Sequence, residues 1–64
     1  MLYEVKAIKN RYIKNTKGYV KADEGIVAHR SFQNASSPAN AANLVKTYYM
    51  PNNVRYDYIE VHAA

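Results

Sequence analysis

Between Pro38 and Met50 the apolar residues recur every third to fourth position, whereas toward both ends of the chain they alternate every second position. Ala41, Leu44, Val45 and Tyr48 stand at i, i+3, i+4 and i+7, one stripe of a helix, with Ala42 and Tyr49 on its flank. Asn40, Asn43, Lys46 and Thr47 fall on the opposite side. Ser37 is a hydrogen-bond acceptor at the position before the first turn, and Pro38 has no N–H to leave unpaired there. Pro51 disfavours helical geometry at Met50, and Asn52-Asn53 supplies a turn. The pattern therefore predicts a helix over 38–50.

Alternation predicts the strands. Tyr3, Val5 and Ala7 share one face, with Glu4 and Lys6 on the other. Ile8 breaks that alternation; a bulge near Ala7-Ile8 would return Ile8 and Tyr12 to the apolar face and place Lys9, Arg11 and Ile13 opposite, giving a strand over 2–13. Lys14 to Gly18 has turn composition, so a hairpin is expected between 11–14 and 19–22. Ala22-Asp23-Glu24-Gly25 suits a type I turn. A third run spans 26–33, with Ile26, Ala28 and Phe32 expected inward and Arg30 awkward beside them. The last run, over 54–62, is expected to turn Ile59 and Val61 to the helix and Tyr56 and Tyr58 to the open face. The sum is a single small two-layer α+β domain, an antiparallel sheet of three to four strands covered by one helix in ββ(β)αβ order.

Size sharpens this picture. A 64-residue chain buries only about 60% of its unfolded surface, and without cysteine it has no disulfide or thiolate–metal staple. A homodimer is accordingly compatible with the sequence. No long apolar run occurs, so neither a signal peptide nor a membrane span is predicted, and the expected location is cytoplasmic.

The charge of +4 is concentrated at one end. Up to Lys21 the basic residues Lys6, Lys9, Arg11, Lys14, Lys17 and Lys21 face only Glu4, whereas beyond it acids outnumber bases. Lys9, Arg11, Tyr12, Lys14, Lys17, Tyr19 and Lys21 form a basic ribbon with interleaved aromatics. Lysine and arginine neutralise phosphates and release counterions, a two-stranded ribbon fits a major groove, and tyrosine rings stack on unpaired bases. Lysines also keep an exposed strand from pairing without any partner, so the charge alone does not define a reader. Seven tyrosines and no tryptophan suit a wet contact surface. Tyr49, Tyr56 and Tyr58 are the candidates for a protein interface, and Tyr3 and Tyr48 for the core.

Other chemistry lacks its parts. His29 and His62 have no neighbours at ligand spacing, and Asp57 and Glu60, three apart on a strand, fall on opposite faces. Ser31 and Ser36-Ser37 lie in no nucleophile-elbow context, and there is no glycine-rich phosphate loop. No enzyme, metal or cofactor is predicted. The Lys/Asn/Tyr-rich, cysteine-free composition resembles that of small phage and plasmid proteins, a likeness that assigns no residue a role. The expectation is a small nucleic-acid-binding accessory or regulatory factor using the basic hairpin. The alternative is a protein-interaction module, such as a phage-type inhibitor of a host protein, which docks on an acidic partner through a tyrosine-bearing sheet face or a sheet edge.

Overall fold

The computed structural model describes residues 1–50 and 55–64; the expected stop at Pro51, the turn at Asn52-Asn53 and the strand start at Val54 lie outside them. Strand β1 (Leu2–Lys9) is the middle of a three-stranded sheet, flanked by β4 (Ile26–Asn34) and β5 (Tyr58–Ala63). Both neighbours run antiparallel to β1, so β4 and β5 run parallel to each other with β1 between them. A second, two-stranded sheet is the hairpin of β2 (Tyr12–Asn15) and β3 (Gly18–Lys21). The helix α1 (Pro38–Leu44) continues as a wider π-helical turn over Val45–Tyr49. The domain is thus a small α+β fold, as the alternating and helical periods predict.

One side of β1 makes the core. Tyr3, Val5 and Ala7 pack with Ala41, Val45 and Met50 of the helical segment, and Ala35, Ile59 and Val61 close around them. Val5 and Val45 are wholly enclosed, and each such side chain is worth roughly 1.5–3 kcal/mol of burial. The helix starts where its cap chemistry requires: Ser37 Oγ accepts the Asn40 N–H at 3.1 Å. The stripe then shifts. Ala41 and Val45 point inward, Leu44 is half-buried, and the next buried residue is Met50, with Tyr48 left 74% exposed. The expected place of Tyr48 in the core is therefore corrected: the wide turn carries the stripe from Val45 to Met50 and turns both tyrosines outward.

Beyond a bulge, strand β4 reverses its expected faces, while Ile26, paired with Lys9, keeps the helix side but stays half exposed. Directly paired residues share a face, and the register sets Gln33 beside Tyr3, Ser31 beside Val5 and His29 beside Ala7 on the helix side. Phe32 and Arg30, paired with Glu4 and Lys6, are on the open face. The extra residue of the bulge is Ala28, on β4 and not on β1, because Ala7 pairs with His29 while Ile8 pairs with Val27. Ile8 thus stays on the open face and is buried there. The cause is Gly25, where an added Cβ would stand 2.5 Å from Ile8 Cγ2 and 2.7 Å from the Lys9 carbonyl oxygen.

The long first strand expected over 2–13 is also interrupted. Asn10 and Arg11 separate β1 from β2, and the break is held by Asp57. Its N–H donates to the Ile8 carbonyl at 2.8 Å, and its Oδ2 accepts the Asn10 N–H at 2.6 Å. Beyond the break the hairpin projects, and Tyr12, expected on the apolar face, is exposed. The molecule measures 46 × 24 × 14 Å with a radius of gyration of 13.8 Å, against about 11 Å for a compact chain of this length.

Candidate nucleic-acid interface

The hairpin pairs Tyr12 with Lys21, Ile13 with Val20, Lys14 with Tyr19 and Asn15 with Gly18. One face consequently carries Tyr12, Lys14, Tyr19 and Lys21, each tyrosine directly opposite a lysine, and the other carries Ile13 and Val20. The chain reverses through Thr16-Lys17. Gly18 takes φ +121°, and Asn15 Oδ1 accepts the Lys17 N–H at 2.8 Å, which closes the turn. At the base, Ala22 N–H donates to the Arg11 carbonyl at 2.7 Å, and Arg11 Nε reaches the Glu24 carbonyl at 3.4 Å.

The tyrosine–lysine face continues the open face of the main sheet. Lys21 Nζ lies 5.9 Å from the centre of the Tyr58 ring, and Tyr58 pairs with Ile8 on the open side. The two regions differ in charge balance. On the main sheet the cations have a carboxylate: Arg30 Nε donates to Glu4 Oε2 at 2.7 Å and Lys6 Nζ lies 3.5 Å from Glu4, while the His62 ring lies 3.8 Å from Glu60. The Arg30 guanidinium, hydrogen-bonded to Glu4, holds that carboxyl below the usual glutamate range, with the Coulombic pull of Arg30 and Lys6 adding to it. On the hairpin, among the described residues, no carboxylate pairs with Lys14, Lys17 or Lys21. Lys21 has the Tyr58 ring as its neighbour instead.

The predicted residues are thus gathered in part. Tyr12, Lys14, Tyr19 and Lys21 share one surface, with Lys17 at its tip and Arg11 at its base. Lys9 is apart, lining a polar cleft with Arg55, Tyr56 and Asp57. The three interface tyrosines do not form one patch. Tyr58 is on the open face; Tyr56 precedes β5 and lines the cleft beside Lys9; and Tyr49 lies on the helix layer, its ring 6.2 Å from that of His29. Sequence reasoning missed that two lysines and two tyrosines fall on one face. The signal was the two-residue loop between Asn15 and Gly18, which fixes the pairing register and with it the faces.

Among the described residues, no group of three His, Asp or Glu side chains is placed to hold a metal ion, and no helix is long and apolar enough to cross a membrane. Compared with known protein families, curated proteins and solved structures, the chain matches none of them.

Proposed function

We propose that this protein is a non-enzymatic nucleic-acid-binding factor whose contact surface is the tyrosine–lysine face of the hairpin. The supporting observation is the cross-strand arrangement of Tyr12 with Lys21 and Lys14 with Tyr19 on a projecting, solvent-open ribbon. Tyr12 and Tyr19 are diagonal neighbours, which sets them roughly 7–8 Å apart at their backbones. Two successive unpaired bases can stack on such rings while Lys14 and Lys21 take the flanking phosphates. Stacking contributes about 1–3 kcal/mol per base and tolerates sequence, and each phosphate contact releases counterions. A duplex hides the faces of its bases, so this surface favours single-stranded nucleic acid over double-stranded.

The test is fluorescence anisotropy of labelled single- and double-stranded DNA and RNA across a salt series. The reading expects tighter binding of single strands and affinity that falls linearly with log salt. Flat curves at low salt would remove it and direct attention to an acidic protein partner instead.

A further inference from the structure

We infer that β4 pairs edge to edge with β4 of a second copy of this chain, across a two-fold axis at Ser31, to form a continuous six-stranded sheet. The unusual feature of β4 is how little its own domain uses it. Among the described residues it is the longest strand and supplies no apolar side chain to the core, and Ile26, Val27 and Phe32 each remain about half exposed. Among the same residues its outer edge is a row of peptide groups with no neighbouring strand.

The hydrogen-bond phase of that edge follows from the inner one. Ala35 N–H donates to the Met1 carbonyl at 2.9 Å, and the Met1 nitrogen donates to the Ala35 carbonyl at 3.0 Å. Bonded pairs alternate with non-bonded ones in an antiparallel ladder. Gln33, Ser31 and His29 therefore direct their peptide groups toward β1, and Arg30, Phe32 and Asn34 direct theirs outward. A two-fold axis at Ser31 sets Arg30 opposite the partner's Phe32, so these two exchange a pair of backbone hydrogen bonds on each side of the axis. Ser31 then meets the partner's Ser31 in the non-bonded position, and His29 meets the partner's Gln33.

The side chains agree with this register. Arg30 already lies 5.2 Å from the centre of the Phe32 ring of its own chain, and the partner's ring offers it a second aromatic face. An axis at Arg30 would instead oppose two guanidinium groups. Pairing through β4 leaves the two hairpins free at opposite ends of the sheet, whatever they bind.

Sedimentation of the wild-type chain across a concentration series should show a monomer–dimer equilibrium. The chain has no cysteine, so Ser31→Cys introduces one thiol at the axis, where non-bonded antiparallel neighbours are about 4.5 Å apart at Cα, within disulfide reach. Under mild oxidation this variant should cross-link nearly completely, and Lys17→Cys at the hairpin tip should not. Phe32→Lys, which sets an ammonium opposite the partner's Arg30, should sediment as a monomer with an unchanged circular dichroism spectrum. A wild-type chain that stays monomeric overturns the inference. So does a dimer in which Ser31→Cys cross-links no faster than Lys17→Cys.

Discussion

The amide of Met50 donates to the carbonyl of Val45, five residues back, at 3.0 Å. A regular helix would have bonded it to Lys46 and left Tyr48 over the core. The wider turn instead buries a flexible thioether, 6% exposed, and keeps the Tyr48 hydroxyl in water without the cost of finding it a buried partner. Met50→Ala should therefore destabilise the domain by about 2–5 kcal/mol, a large share of the stability of so small a chain. Tyr48→Ala should lie within about 0.5 kcal/mol of wild type. Urea unfolding followed by circular dichroism measures both; the reverse ranking would mean that the helix ends in an ordinary α-turn.

Gly25 tests a different contact. A methyl group there meets Ile8 Cγ2 at 2.5 Å and the Lys9 carbonyl oxygen at 2.7 Å, and the backbone oxygen cannot rotate aside. Gly25→Ala should cost about 1–3 kcal/mol through overpacking. At Gly18 nothing lies within 4 Å, but φ is +121°, so Gly18→Ala should destabilise through backbone strain and loosen the hairpin without disturbing the core. One-dimensional proton NMR separates the two cases: core methyl shifts move in the first and stay in the second.

Much of the architecture was legible because it is local. The Ser37 cap, the inward row Tyr3, Val5, Ala7 and the inward pair Ile59, Val61 follow from neighbours in sequence. What escaped was set at long range. Arg30 and Phe32 alternate as well with one face of β4 as with the other, and the choice was made by pairing with Glu4 and Lys6, more than twenty residues away. A one-residue change in register moves every side chain to the opposite face. The turn at Val45–Tyr49 escaped for a similar reason, since the sequence permits either stripe and packing selects Met50. The candidate site was readable in composition, but its common face required the hairpin register.

The Glu4–Arg30 pair makes stability depend on acid. Glu4 is held below its usual range by the Arg30 hydrogen bond, so the folded state prefers the charged carboxylate more than the unfolded state does. That contribution is fully present above the unfolded glutamate value, about pH 4.3, and is lost as pH falls through the lower folded value. Thermal unfolding across this acid range should show wild type and Glu4→Gln converging as pH drops, with wild type the more stable at neutral pH. Parallel curves would mean that the pair does not couple protonation to folding.

On the hairpin, charge and stacking should separate cleanly. Tyr12→Ala and Tyr19→Ala each remove one stacking platform, an expected loss of about 1–3 kcal/mol in single-strand affinity, roughly 5- to 150-fold, with a nearly unchanged salt slope. Lys14→Glu combined with Lys21→Glu should weaken all polymers together and reduce the slope by about two phosphate contacts. Both sets lie on an exposed ribbon outside the core, so melting temperature should move little. Tyr49→Ala with Tyr56→Ala provides the contrast, because Tyr49 lies against His29 on the helix layer and Tyr56 lines the Lys9 cleft, neither on the hairpin itself. If that pair abolishes binding while the hairpin variants keep it, the contact surface lies on the helix layer or beside the Lys9 cleft, and the ribbon lysines serve only to protect an exposed edge.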